Sequence, residues 1–249
     1  MNRWAALALL LAVAGGLALR LPKLDARPLH NDEGVNAIKV AALWEHGDYK
    51  YDPHEFHGPT LYYASLPFLW FGHAHNADEL DATRLRVVTI AFGIALILLL
   101  PLMADGLGST ATAFAAVFAA VSPAMVFYSR YYIHEMLLVF FTLLTLAAGW
   151  RYWRARKMGW AMLAGASLGL MFATKETFVL TLVAMGFAAL ATAWWTIPKG
   201  NRVQCLHALW NWKHAALALA AAFAIWLLLF SSFFTNFAGL VDSIRTYFP

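Results

Sequence analysis

The sequence predicts an all-α integral membrane protein with about seven transmembrane helices and a long first outer loop, residues 22–83, that carries interfacial helices. Of its 249 residues, 61% are hydrophobic and only 13% are charged, whereas about 25% of the residues of soluble domains are charged. The mean hydropathy is +0.60. So little polar surface cannot cover a soluble fold, so most of the chain must be solvated by lipid.

Seven apolar runs are candidate spans, and each lacks the two-residue alternation of a membrane β-strand. They cover residues 4–21, 87–103, 110–127, 134–150, 158–173, 178–197 and 215–234. Helices are predicted because backbone polar groups in lipid need partners within their own segment. The first run, which follows Arg3, could alone be a signal peptide, but the six runs after it favour an uncleaved helix.

The distribution of charge predicts the orientation. Arg3 and the basic groups at 151–157 and 199–213 fall on one side, whereas the short loops of the other side carry only Arg130 and Lys175. The positive-inside rule therefore predicts a cytoplasmic N-terminus in the plasma (inner) membrane, with most acids and histidines outside. The same rule explains the net charge of +4, so no nucleic-acid partner is expected. A single cysteine, Cys205, excludes an internal disulfide.

The first outer loop is polar but rich in aromatic residues, which predicts a structured platform on the membrane surface. A helix is expected to start at Asn31 or Asp32 and to stop at Gly47. A second helix is expected at 59–70, where aromatic side chains suit the membrane interface.

Asp32 and Glu33, at the start of that first helix, are open to two interpretations. One is an N-cap or first-turn acid that complements the helix dipole. The other is a general base, with His30 and His57 in the same loop. Two adjacent carboxylates exceed what a cap requires, and His57 lies in a constrained His-Gly-Pro turn. We therefore expect Asp32 and Glu33 to be catalytic.

Two further charged clusters lie on the same face, at 129–135 and 174–177. Ionisable groups so close to lipid are costly unless they are paired. Local salt bridges are one explanation, such as Arg130 with Glu135. A site for an anionic head group is the other, in which Arg130 and Lys175 bind phosphate and Asp32 or Glu135 handles a proton or a metal. The supporting residues expected around this site are His30, His57, Tyr131, His134, Glu135 and Glu176.

The sequence gives less evidence for a metal cofactor than for catalytic acids. Histidines and carboxylates are abundant outside, but no regular metal-ligand spacing occurs. A divalent metal between Asp32 and Glu135 is therefore the weaker alternative.

Four motifs together resemble the GT-C class of membrane glycosyltransferases: HNDEGVNA, FHGPTLYYASLP, SPAMVFYSRYYIHEMLLVF and ATKET. Within that class the sequence is similar to the branch of protein O-mannosyltransferases and aminoarabinose transferases, and most similar to the flippase-associated proteins of archaea and bacteria. The resemblance extends from about residue 27 to residue 248.

The resemblance implies transfer of a sugar from a polyprenyl-phosphate carrier, at the outer face, to a lipid, glycan or protein acceptor, with membrane lipid around the enzyme. It assigns the catalytic base to Asp32, with Glu33 as its partner. It assigns a phosphate or metal site to Arg130 and Glu135.

The chain is shorter than such enzymes, so we expect an N-terminal portion of one, or a truncated product. Two alternatives therefore stay open: a non-enzymatic transport or flippase component for lipid-linked sugars, and an inactive truncated fragment. Transport would require polar residues within the spans, and their middles are almost wholly apolar.

Overall fold

The computed structural model describes residues 2–47, 49–54, 57–196 and 211–248. These residues form helices and no strands, which confirms the predicted all-α membrane fold class. In chain order the helices are α1 (Arg3–Arg20), α2 (Asn31–His46), α3 (Thr60–Phe71), α4 (Ala82–Leu99), α5 (Ala104–Leu107), α6 (Ser109–Val121), α7 (Pro123–Ser129), α8 (Glu135–Ala155), α9 (Met158–Phe172), α10 (Phe178–Thr196), α11 (Trp212–Phe230) and α12 (Ala238–Arg245).

All seven predicted spans coincide with apolar helices, although their lengths differ. Within the described residues five helical segments are long and apolar enough to cross a membrane: α1, α4 continued through α5, α8, α10 and α11. The bent pair of α6 and α7 would make a sixth, and α9 has only 15 residues. The total of seven stays a prediction. The end of the sixth predicted span, Cys205 and the basic residues at 199 and 202 lie outside the described residues.

The third predicted span is not one straight helix. It bends by 57° between α6 and α7, because Pro123 has no N–H to continue the helical hydrogen bonding. Arg20, at the end of α1, is fully buried against this break. Its guanidinium donates to the carbonyls of Ala119 at 3.0 Å and Ala120 at 2.8 Å, and to Ser129 Oγ at 3.1 Å. The side chain of Arg20 thus satisfies carbonyls that the bend leaves without helical partners.

The helices pack in two groups joined by α4. On one side α1 packs against α6 and α4, and on the other α8, α9 and α11 pack together. Gly165 and Gly169 of α9 allow its backbone to approach that of α11 closely at Ala218 and Ala222. Glycines four residues apart favour such contacts between membrane helices. In contrast, α10 has no buried residue.

The segment at residues 22–83, which the sequence predicts to be the first outer loop, folds over one end of this bundle. There α2 begins at Asn31 and ends at His46, followed by Gly47 in the left-handed conformation with φ 67°. The second surface helix, α3, runs beside it. Residues Val40, Leu61 and Tyr62 of these helices share one apolar core with Tyr132, just before α8, and with Leu137 in its first turn. The loop is therefore part of the folded core.

Candidate active site

Asp32 lies in the exposed first turn of α2. The N-cap is His30, so Asp32 is not the cap but an acid of the first turn, which is the other form of the simpler interpretation. Within the part of the chain described, no salt bridge or side-chain hydrogen bond involves the Asp32 carboxylate. The partial positive charge of the helix N-terminus acts on it instead. Asp32 is thus an accessible carboxylate on a fixed helix.

Glu33 has a different environment, and the two acids do not form a matched catalytic pair. Its side chain is fully buried, and both oxygens accept hydrogen bonds from Arg86, at 2.8 Å from Nε and 2.7 Å from Nη2. The backbone N–H groups of Tyr132 and His30 donate to it at 2.9 Å and 3.0 Å. Burial acts to raise the pKa of Glu33, but the hydrogen bonds from Arg86 and the two amides outweigh burial and hold it below its usual value. Glu33 therefore positions the start of α2 and is not available to take a proton.

Arg86, the ion-pair partner of Glu33, is a residue of the candidate site that the sequence patterns did not indicate. It lies in α4, is almost fully buried, and also donates to the carbonyls of Arg27 at 2.8 Å and Pro28 at 3.1 Å. An arginine directly before the apolar run at 87–103 was the available signal. Its position suited a charge at the membrane boundary, and its partner 53 positions earlier could not be read from the sequence.

A basic cavity of about 600 Å³ opens beside this ion pair. We define it by its cationic lining residues, Lys23, Arg27, Arg86 and Arg130. Its remaining wall is largely apolar and comes from the ends of α1, α6 and α7: Leu19, Leu24, Val121, Pro123, Val126 and Phe127. The cavity therefore suits an anion that carries an apolar chain.

Arg130 faces this cavity and is held by main-chain groups. It donates to the carbonyl of Pro22 at 2.7 Å and to those of Leu19 and Lys23 at 3.3 Å. The alternative salt bridge with Glu135 is not formed, and carbonyls leave the positive charge of Arg130 unneutralised.

Tyr131 contacts one residue of the basic cavity and one at the start of α2. The Arg27 guanidinium, which lines the cavity, lies 4.9 Å from the centroid of its ring, and the ring of His30, the N-cap of α2, lies 5.6 Å away. Burial raises the pKa of Tyr131; the negative charges of Asp32, Glu33 and Glu135 add to that shift, and Arg27 opposes it. Tyr131 therefore links the cavity to the end of α2 that carries Asp32.

A second cluster, which we call the histidine–lysine cluster, consists of His57, His134, Glu135, Lys175 and Glu176. Lys175 Nζ donates to Glu135 Oε1 at 2.6 Å, and His57 Nδ1 lies 3.3 Å from Glu176 Oε2. The rings of His57 and His134 are 4.8 Å apart. Lys175 thus has a carboxylate partner, as the salt-bridge interpretation expected, and it does not line the basic cavity with Arg130. The structure does not bring the two predicted phosphate ligands together.

Main-chain pairing between two motifs assembles this cluster. The N–H of Gly58 donates to the carbonyl of Thr174 at 3.1 Å, and the N–H of Thr60 donates to that of Ala173 at 3.0 Å. A side chain at position 58 would collide with the Ala173 carbonyl. The His-Gly-Pro turn is therefore docked on the loop between α9 and α10.

The residues present do not form a metal site. Among the residues described, no group of three histidine, cysteine or carboxylate side chains could hold a metal ion. The divalent metal predicted between Asp32 and Glu135 therefore has no set of ligands among these residues.

A family model described as dolichyl-phosphate-mannose-protein mannosyltransferase matches residues 77–230, more than half of the chain. The chain belongs to this mannosyltransferase family. The match includes Arg86, Arg130 and Lys175, while Asp32 precedes it. Membership confirms the resemblance to GT-C glycosyltransferases noted from the sequence motifs.

The family's fold is also seen in a solved structure. The chain is similar to the Saccharomyces cerevisiae protein O-mannosyltransferase Pmt1–Pmt2 complex bound to the sugar donor, with a TM-score of 0.66 and 17% sequence identity. The similarity covers 96% of this chain and 34% of that one, so the chain spans about a third of the length of its structural relative. A comparison with curated proteins gives no match.

Proposed function

We propose that this mannosyltransferase-family protein transfers a sugar from a polyprenyl-phosphate carrier to a hydroxyl group of a lipid, glycan or protein acceptor. One observation carries the proposal: Glu33, the neighbour of the exposed Asp32 in the first turn of α2, forms a buried ion pair with Arg86, which lines the basic cavity. The distribution of basic residues supports a cytoplasmic N-terminus and a site on the outer face.

The basic cavity binds the phosphate of the donor. Arg130 and Arg27 supply positive charge, and the apolar wall at Val126 and Phe127 accommodates the first isoprene units of the carrier. Arginine suits this role because its guanidinium presents several N–H donors to phosphate oxygens. Lys175 is left out of the phosphate site because Glu135 already neutralises it.

The transfer step is a displacement at the anomeric carbon. The oxygen of the acceptor hydroxyl forms a bond to that carbon while Asp32 accepts the hydroxyl proton. The bond between the anomeric carbon and the phosphate oxygen breaks, and the electron pair leaves with the polyprenyl phosphate. Arg130 and Arg27 stabilise the negative charge that develops there.

The test uses the purified chain in lipid nanodiscs with radiolabelled dolichyl-phosphate-mannose and a hydroxyl-bearing acceptor peptide. Asp32→Asn should lower turnover by about 10²- to 10⁴-fold, the usual contribution of a general base, and should leave binding of dolichyl phosphate intact. Arg130→Met should weaken that binding. The control is Asp25→Asn, an exposed acid seven positions before Asp32, which should transfer sugar at the normal rate.

Full transfer by Asp32→Asn would refute the base assignment. Movement of the donor lipid across vesicle membranes without an acceptor, unaffected by Asp32→Asn, would indicate the transport function instead.

A further inference from the structure

We propose that the histidine–lysine cluster binds the hydroxyl groups of the donor's glycosyl unit, separately from the basic cavity that binds its phosphate. This inference rests on the proposed function, because it divides the donor between two neighbouring subsites. Lys175, Glu135 and His134 are its central residues.

The cluster contains two buried acceptor atoms that have no donor among the residues described. His134 is fully buried, and its Nε2 lies 3.1 Å from the carbonyl oxygen of Gly58. A carbonyl can only accept, so Nε2 carries the hydrogen and Nδ1 of the neutral ring presents a lone pair. Neither His134 Nδ1 nor Glu135 Oε2 has a hydrogen-bond partner within the described residues, although both atoms are shielded from solvent. Shielded acceptors of this kind are costly unless a ligand or water donates to them.

The charge of the cluster is unsuited to phosphate. Lys175 provides one positive charge, whereas Glu135 and Glu176 provide two negative charges. Glu135 contacts Lys175, and Glu176 contacts His57. An anion would be repelled by these carboxylates. A metal ion lacks three suitable ligands among the residues described. A neutral ligand remains that both donates and accepts hydrogen bonds.

A sugar has that chemistry. Its hydroxyls can donate to Glu135 Oε2 and His134 Nδ1, and their oxygens can accept from the ammonium hydrogens of Lys175 that do not bond Glu135. Charged partners make such hydrogen bonds stronger than neutral ones.

The cluster is close in sequence to the basic cavity. Arg130 lines that cavity, and His134 and Glu135 follow it by four and five positions. A donor whose phosphate binds in the cavity can therefore place its glycosyl unit at the cluster.

The experiment compares two ligands that differ only in the sugar, dolichyl-phosphate-mannose and dolichyl phosphate. Their dissociation constants are measured for the chain in nanodiscs, for Lys175→Met and for Glu135→Gln. The dissociation constant of the mannosylated lipid should rise by about 10- to 100-fold, the range for a lost hydrogen bond to a charged group. That of dolichyl phosphate should not change. Asp242→Asn, which removes an ion pair with Arg245 outside the cluster, is the matched control.

Three results would overturn the inference. Equal weakening for both lipids, with the thermal unfolding midpoint preserved, would assign Lys175 to the phosphate. Unchanged affinity for both lipids would leave only water to donate to His134 Nδ1 and Glu135 Oε2. A change confined to the KM of the acceptor substrate would place the donor's sugar elsewhere. If Glu135→Gln does not fold, Glu135→Asp replaces it. None of these results depends on the Asp32 or Arg130 assays, so failure of this inference can be distinguished from failure of the proposed function.

Discussion

Replacing Arg86 by methionine should strongly destabilise the protein. The substitution leaves the Glu33 carboxylate buried, with only two backbone amides and the more distant Arg27 guanidinium at 3.4 Å. Removing one partner of a buried ion pair costs about 3–5 kcal/mol, because the other charge stays buried without compensation. The free energy of unfolding would be measured by titration with SDS in mixed micelles.

Arg84→Met is the matched control, since it lies in the same helix and its partner Glu79 is 3.5 Å away. Both of those side chains are about a third exposed, so that change should cost at most about 1 kcal/mol. Adding Glu33→Leu to Arg86→Met should recover part of the loss by removing the buried charge. The reasoning is refuted if Arg86→Met is no more destabilising than Arg84→Met.

Two further predictions concern the docked turn and the buried imidazole. Gly58→Ala should lower the free energy of unfolding by about 1–3 kcal/mol, because its methyl group would force the Ala173 carbonyl to move. The control Gly34→Ala lies in open space within α2 and should not lower it. Limited proteolysis should cleave the loop after α9 faster in Gly58→Ala than in Gly34→Ala, and equal cleavage of the two variants would contradict the prediction. Burial holds the pKa of His134 well below its ordinary 6.5, so the unfolded chain binds more protons and stability should fall as the pH drops below that value. His134→Gln should flatten the dependence of the unfolding midpoint on pH between about 7.5 and 5.5, and an unchanged slope would count against a buried neutral ring.

Local patterns predicted most of the fold because helices in lipid depend on their own apolar length. The helix at Asn31–His46 and its stop at Gly47 follow from capping and turn chemistry, and both are confirmed. The bend before Pro123 was predictable in principle, yet the continuous apolar run concealed it. What the sequence could not reveal was the interaction of Arg20 with that bend, because it joins residues about 100 positions apart.

The candidate site was predicted less completely. Residue types indicated which positions carry chemistry, but partners depend on tertiary packing. Glu33 and Asp32 are neighbours in sequence, yet consecutive helical residues point in different directions, so one is buried and the other exposed. Lys175 and Arg130 are both basic residues in short loops. Only the structure shows that Lys175 is paired with Glu135, whereas Arg130 lines the basic cavity. The catalytic roles of these residues stay predictions.

The pairing of the His-Gly-Pro turn with the loop after α9 also determines when the site can exist during synthesis. Thr60 and Ala173 are 113 positions apart, so the first loop emerges long before its partner is made. Segments inserted earlier must wait for α9 to complete the platform. A ribosome still translating the middle of this chain therefore carries Asp32 and His57 before Lys175 has been made. The histidine–lysine cluster can then form only when most of the bundle is in the membrane.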